Sequence, residues 1–79
     1  MVETRIAPRH RVNMPAKIEY GGDKIACTVR DLSITGAALE ISGIDRIPAT
    51  FTLILPEDRL KLPCRVIWRR EFRIGVTFG

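Results

Sequence analysis

Histidine, cysteine and aromatic side chains are scarce in this 79-residue chain, which holds one His, two Cys, one Trp, one Tyr and three Phe. His10 has no nucleophile or second metal ligand at a useful spacing, so no metal and no enzymatic activity are expected: catalysis would have to be built from isolated Asp and Glu residues. Cys27 and Cys64 are too few for a disulfide framework and form no C-x-x-C pair. Each falls on the apolar face of a strand pattern, where a free thiol packs as a small hydrophobe, so both are expected to be buried and unpaired. No segment approaches the ~20 apolar residues of a membrane span, and no apolar run follows the first basic residues, so the expected location is cytoplasmic. Pro8, Pro15, Pro48, Pro56 and Pro63 leave little room for a helix interior.

The composition that remains, 46% hydrophobic and 28% charged, suits one small globular domain, and no internal repeat or low-complexity linker is visible. A net charge of +4 and a pI near 9.7 favour anionic partners without choosing among them. Three of the 13 basic residues are lysines (Lys17, Lys24 and Lys61), and the other ten are arginines. That bias suits planar, bidentate recognition, although genomic base composition enriches Arg as well.

The dominant period is two. Ile25, Cys27 and Val29 alternate with Ala26, Thr28 and Arg30, and Phe51, Leu53 and Leu55 share a second face. Leu62, Cys64, Val66 and Trp68 form a third, whose phase favours a core position for Trp68 over a role as a stacking platform, and Ile74, Val76 and Phe78 a fourth. Turn residues separate these runs at Gly21-Gly22-Asp23, at Pro56 to Arg59 and at Arg70-Glu71. Pro63 inside a strand pattern indicates an edge or a bulge. Residues 42 to 49 read as a loop with room for one helical turn. The expected fold is all-β, a six-stranded antiparallel barrel or tight sandwich over residues 13–79. Residues 1–12 lack a strand period and read as a flexible basic arm lying across it.

Two clusters carry chemistry. Arg5 and Arg9, with Arg11 behind them, bring guanidinium groups on a segment interrupted by Pro8; Asp31-Leu32-Ser33-Ile34-Thr35-Gly36 brings a carboxylate, two hydroxyls and a glycine that admits a close backbone approach. Arginine can donate in parallel to phosphate oxygens or to the O6/N7 edge of guanine, and a carboxylate can accept from guanine N–H groups. Taken singly, each arginine also reads as a solvated surface charge, and Asp31, Ser33 and Gly36 also read as a local side-chain-closed turn.

These clusters, in order R-x-x-x-R (Arg5 to Arg9) and D-x-S-x-x-G (Asp31 to Gly36), are joined by about twenty residues of strand–turn–strand pattern. A Pro63-Cys64-Arg65-Val66-Ile67-Trp68 strand and an Ile74-Gly75-Val76-Thr77-Phe78 ending follow. Nearly the whole chain thus resembles the PilZ domain, the bacterial receptor module for cyclic di-GMP. The resemblance implies a six-stranded barrel and a cyclic di-GMP site formed by Arg5, Arg9, Asp31, Ser33 and Gly36, with Arg11 and Thr35 as additional contacts and no cofactor beyond the ligand. It also implies that ligand orders the arm and that a protein partner reads the change. Thr4 stands where many members carry another basic residue, and Arg11 lies two positions past Arg9, so which of Arg9 and Arg11 completes the clamp stays open. Many members continue into a C-terminal helix; the expected fold has no such helix, and weak self-association through an open barrel mouth is expected. Two other readings remain: an interaction module with an idle ligand site, and a small basic barrel binding RNA or single strands. Five aromatics, most in phase with inward positions, count against the last, and neither nucleic acid nor a membrane is an expected partner.

Overall fold

The computed structural model describes residues 10–42, 47–58 and 60–79. Six strands form it: β1 (His10–Tyr20), β2 (Asp23–Leu32), β3 (Gly36–Glu40), β4 (Thr50–Ile54), β5 (Lys61–Arg70) and β6 (Arg73–Phe78). All neighbours pair antiparallel, and the sheet closes in the order β1-β2-β3-β6-β5-β4. Closure joins the two ends of the sheet through a short pairing of β1 with β4 over Lys17–Glu19, which shortens the exposed edges without removing them. β1 starts at His10, so residues 10–12, read from sequence as the end of an arm, belong to the sheet. Among the described residues no helix is long and apolar enough to cross a membrane.

Period-two patterning fills the interior as expected. Ile18, Val29, Leu39, Leu53 and Ile74 are fully buried, joined by Phe51, Ile41, Ile47 and Val76. Cys27 and Cys64 are free and buried in this core, and removal from water pushes their thiols up to about 12 and about 11. The Cys64 thiol donates to the Leu62 carbonyl at 3.4 Å. Gly21 and Gly22 form the β1–β2 turn with φ of 55° and 87°, the double positive φ of a tight hairpin. Pro56–Asp58 makes a short 3-10 turn before β5.

Pro63 sits within β5 and is compatible with a closed sheet for a local reason. A strand residue directs its N–H and C=O to the same side, and the Pro63 carbonyl accepts from Gly79 N–H at 3.0 Å. Its missing donor therefore faces the end of β6, where the ladder is running out. The irregularity in β5 lies further along. Val66 pairs with Val76 and Trp68 with Gly75, leaving Ile67 as the extra residue of a bulge.

Two further bulges lie at the same level of the barrel. In β2, Val29 faces Leu39 but Asp31 faces Ala38, so Arg30 is extra; in β1, the register against β2 shifts between Arg11 and Met14. Each slip reverses the phase of the residues beyond it. Asp31, which simple alternation would send inward behind Cys27 and Val29, turns outward, and Trp68 does the same behind Cys64 and Val66. Trp68 is 36% exposed and Ile67 61% exposed, which corrects the expectation that Trp68 lies in the core. The β5–β6 turn is also one residue later than expected. It comprises Glu71, at φ 35°, and Phe72, which is 61% exposed.

Candidate functional site

The three bulges align one row across five strands: Arg11 opposite Asp31, Asp31 opposite Ala38, Ala38 opposite Gly75, and Gly75 opposite Trp68. Direct partners share a face, so this row lies outside the barrel. Ala38 is buried yet does not belong to the core cluster, consistent with a small residue covered from outside. Ala38 and Gly75 make a shallow floor; Asp31 rises on one side and Trp68 on the other. The cleft between them, about 140 Å³, is also lined by Ser33, Gly36 and Thr77.

The β2–β3 turn borders this cleft and is held rigidly. Ser33 N–H donates to the Gly36 carbonyl at 2.9 Å, while Thr35 N–H and Gly36 N–H both donate to Ser33 Oγ at 3.2 Å. The Ser33 and Thr35 hydroxyls lie 3.1 Å apart. The Thr35 carbonyl then accepts from Phe78 N–H at 2.9 Å and from the Thr77 hydroxyl at 3.2 Å, tying the turn to β6. Ser33 thus closes a local side-chain turn, the alternative the sequence left open, and that turn is also one wall of the cleft. Its tip, Ile34, is 85% exposed.

Gly36 is required by packing. A Cβ there would overlap the Val76 carbonyl oxygen and stand 3.2 Å from the Val76 carbonyl carbon and 3.3 Å from Thr77 Cα. Gly75 is required for a different neighbour: a Cβ would overlap Cε2 and Nε1 of Trp68 and lie 2.7 Å from Cζ2. An aromatic laid across a facing glycine is a recurrent sheet device.

Of the residues expected from sequence, Asp31, Ser33, Thr35 and Gly36 come together at one end of the cleft. Arg11 joins them from β1 as an exposed cation directly across from Asp31. Arg5 and Arg9 lie outside the described residues. Arg30, the bulged residue, is held between Asn13 Oδ1 at 3.4 Å and Glu40 Oε1 at 3.5 Å. Sequence reasoning missed Ala38, Gly75 and Thr77, and preferred the core for Trp68, which lines the cleft. Counting back from a Glu71-Phe72 turn would have paired Trp68 with Gly75; a turn one residue earlier pairs it with Arg73.

A closed antiparallel barrel bearing a rigid polar turn and an outer cleft floored by small residues is the framework of a ligand-binding module. The model of the PilZ domain matches residues 3–79, and the chain belongs to that family of cyclic di-GMP receptor domains. Among solved structures the chain is similar to the PilZ domain of CeSA from a cellulose-synthesizing bacterium, with 22% identity and a TM-score of 0.70. That match covers 91% of this chain and 80% of the other. No match was found among curated proteins.

Proposed function

We propose that this domain binds cyclic di-GMP on the outer face of the barrel, between the Asp31–Gly36 turn and the N-terminal segment, and signals by closing that segment over the ligand. The observation that supports this reading is the outward presentation of Asp31 beside the Ser33–Gly36 turn, at the edge of a cleft with a small-residue floor. Asp31 accepts guanine N–H donors, and the turn supplies hydroxyl groups at a fixed position. β1 begins at His10 opposite Leu32, so the chain enters the barrel beside this turn. Arg9 is the next residue back, and five residues bring Arg5 within a span of at most ~17 Å. Both guanidinium groups can therefore address phosphates or guanine edges of a ligand seated there, while Arg11 adds positive charge from the sheet. A protein partner that senses the closed segment completes the signal.

Isothermal titration of the chain with cyclic di-GMP, beside the linear dinucleotide, GTP and short RNA, tests the reading. Selective heat with the cyclic ligand is expected. A folded protein at tens of micromolar that gives no heat with cyclic di-GMP refutes it, and preference for RNA would favour the single-strand-binding alternative. Protection of the Arg5 and Arg9 peptide bonds from trypsin on ligand addition tests closure separately.

A further inference from the structure

We propose that the outer face around the β5–β6 turn is a docking surface for an acidic segment of a protein partner, held by Arg70 and Arg73 with Phe72 as its apolar anchor. The surface lies beside the ligand cleft, and the inference stands whichever ligand that cleft takes. Charge is the first ground. Residues 61–73 hold five basic side chains, Lys61, Arg65, Arg69, Arg70 and Arg73, against the single acid Glu71. The rest of the chain holds eight of each sign, so the whole net charge of +4 resides in this one stretch. Such a concentration attracts an acidic partner and fixes its register.

The second ground is the arrangement at the turn. Arg70 and Arg73 are direct partners across β5 and β6, exposed on one face, and like charges so placed weaken a strand pair unless an anion lies between them. Arg73 also stands opposite Glu40, a carboxylate already 3.5 Å from the Arg30 guanidinium. Phe72 is 61% exposed at the tip, and its carbonyl accepts from Ile41 N–H at 2.7 Å, which fastens the turn and holds the phenyl ring out of the core. Ile67, equally exposed, adds a second apolar contact three residues before Arg70. Aromatic and arginine side chains together dominate protein interfaces. A cleft of about 330 Å³ joins them, lined by Glu40, Trp68, Arg70, Glu71, Phe72 and Arg73. Its two carboxylates repel a continuous phosphate backbone or an anionic membrane but accept peptide N–H groups, which favours a polypeptide with spaced acidic residues.

Arg70 also has a structural use, covering Trp68 at 5.9 Å from the ring centroid, so the test must read binding and folding separately. The probe is a short fluorescein-labelled peptide of glutamates flanking two leucines, titrated with the full chain without cyclic di-GMP and followed by anisotropy. A lysine counterpart, labelled oligothymidylate and phosphatidylglycerol vesicles are titrated beside it. Saturable binding of the acidic peptide alone is expected, weakening as salt is raised. Arg70→Glu with Arg73→Glu should weaken it about 10-fold or more, and Phe72→Ala about 5-fold, with each protein shown folded by circular dichroism. If the Arg70→Glu protein does not fold, Arg73→Glu alone and Phe72→Ala still decide. No saturable binding by the folded parent at low salt, equal binding of the lysine peptide, or folded variants within twofold of the parent overturns the proposal. Preference for oligothymidylate or for vesicles overturns it too, and assigns the face to a nucleic acid or a membrane instead.

Discussion

Replacing Gly36 by alanine isolates what the motif glycine does. Its φ is outside the left-handed region, so alanine meets no backbone penalty there; the cost is steric. The added carbon would overlap the Val76 carbonyl, and relief requires β3 and β6 to separate by about 1 Å. Overpacking of this kind costs ~1–3 kcal/mol. The same movement strains the two bonds into the Thr35 carbonyl, from Phe78 N–H and the Thr77 hydroxyl, each worth about 1 kcal/mol. A combined loss of about 3 kcal/mol is a large part of the ~4–12 kcal/mol expected for a domain this size. At ~4–8 °C per kcal/mol, the midpoint of a thermal melt followed by circular dichroism should fall by at least ~12 °C. Gly21→Asn is the contrast: Gly21 has φ 55° and no atom within 4 Å of an added Cβ, so only a conformational cost applies, and Asn bears that cost well. Its midpoint should move by less than ~5 °C. If Gly36→Ala melts within about 3 °C of the parent, the close approach of the two backbones does not constrain this position and the packing explanation is wrong.

Arg9→Ala should weaken cyclic di-GMP binding about 10-fold or more, as for a lost hydrogen bond to a charged group, with Arg11→Ala weaker in effect; the reverse order in calorimetry would make Arg11 the second clamp. Cys27 and Cys64 should resist a thiol-specific reagent at pH 8 in the native protein and both react in denaturant, and rapid labelling of either native thiol would contradict its burial. Their folded values lie above the ordinary 9.0, so between about pH 9 and 11 the unfolded chain loses protons that the folded one keeps; the melting midpoint should fall as pH rises through that window, and less so in a Cys27→Ala, Cys64→Ala protein. Leu39→Ala, at a fully buried position of β3, should cost ~2–5 kcal/mol in a denaturant melt.

The strands were legible because each has one apolar face and alternation is a direct record of that face. Gly21-Gly22 was legible because only glycine adopts two successive positive φ values freely. The bulges left no such trace. Arg30 and Ile67 are ordinary strand residues, and nothing in their chemistry announces that the partner strand skips them. Period-two reasoning therefore carried Trp68 inward. The β5–β6 turn added to the error, since Glu71 holds a positive φ without being glycine or asparagine and Phe72 has a strand-forming side chain. Asp31, Ser33 and Gly36 were recognisable as a group because their spacing is local; the floor opposite them was not, because it depends on a register between distant strands.

Ala38 and Gly75 meet only across the seam between β3 and β6, and Gly36 and Thr77 are joined by the same seam. The complete turn motif is thus present in the chain some forty residues before the strand that gives it a floor. During synthesis, the motif leaves the ribosome well ahead of β6. Under the proposed reading, an unfinished or truncated chain carries the signature of a receptor but does not withdraw messenger from the pool, and the competence to bind appears in one step, when the final strand closes the barrel.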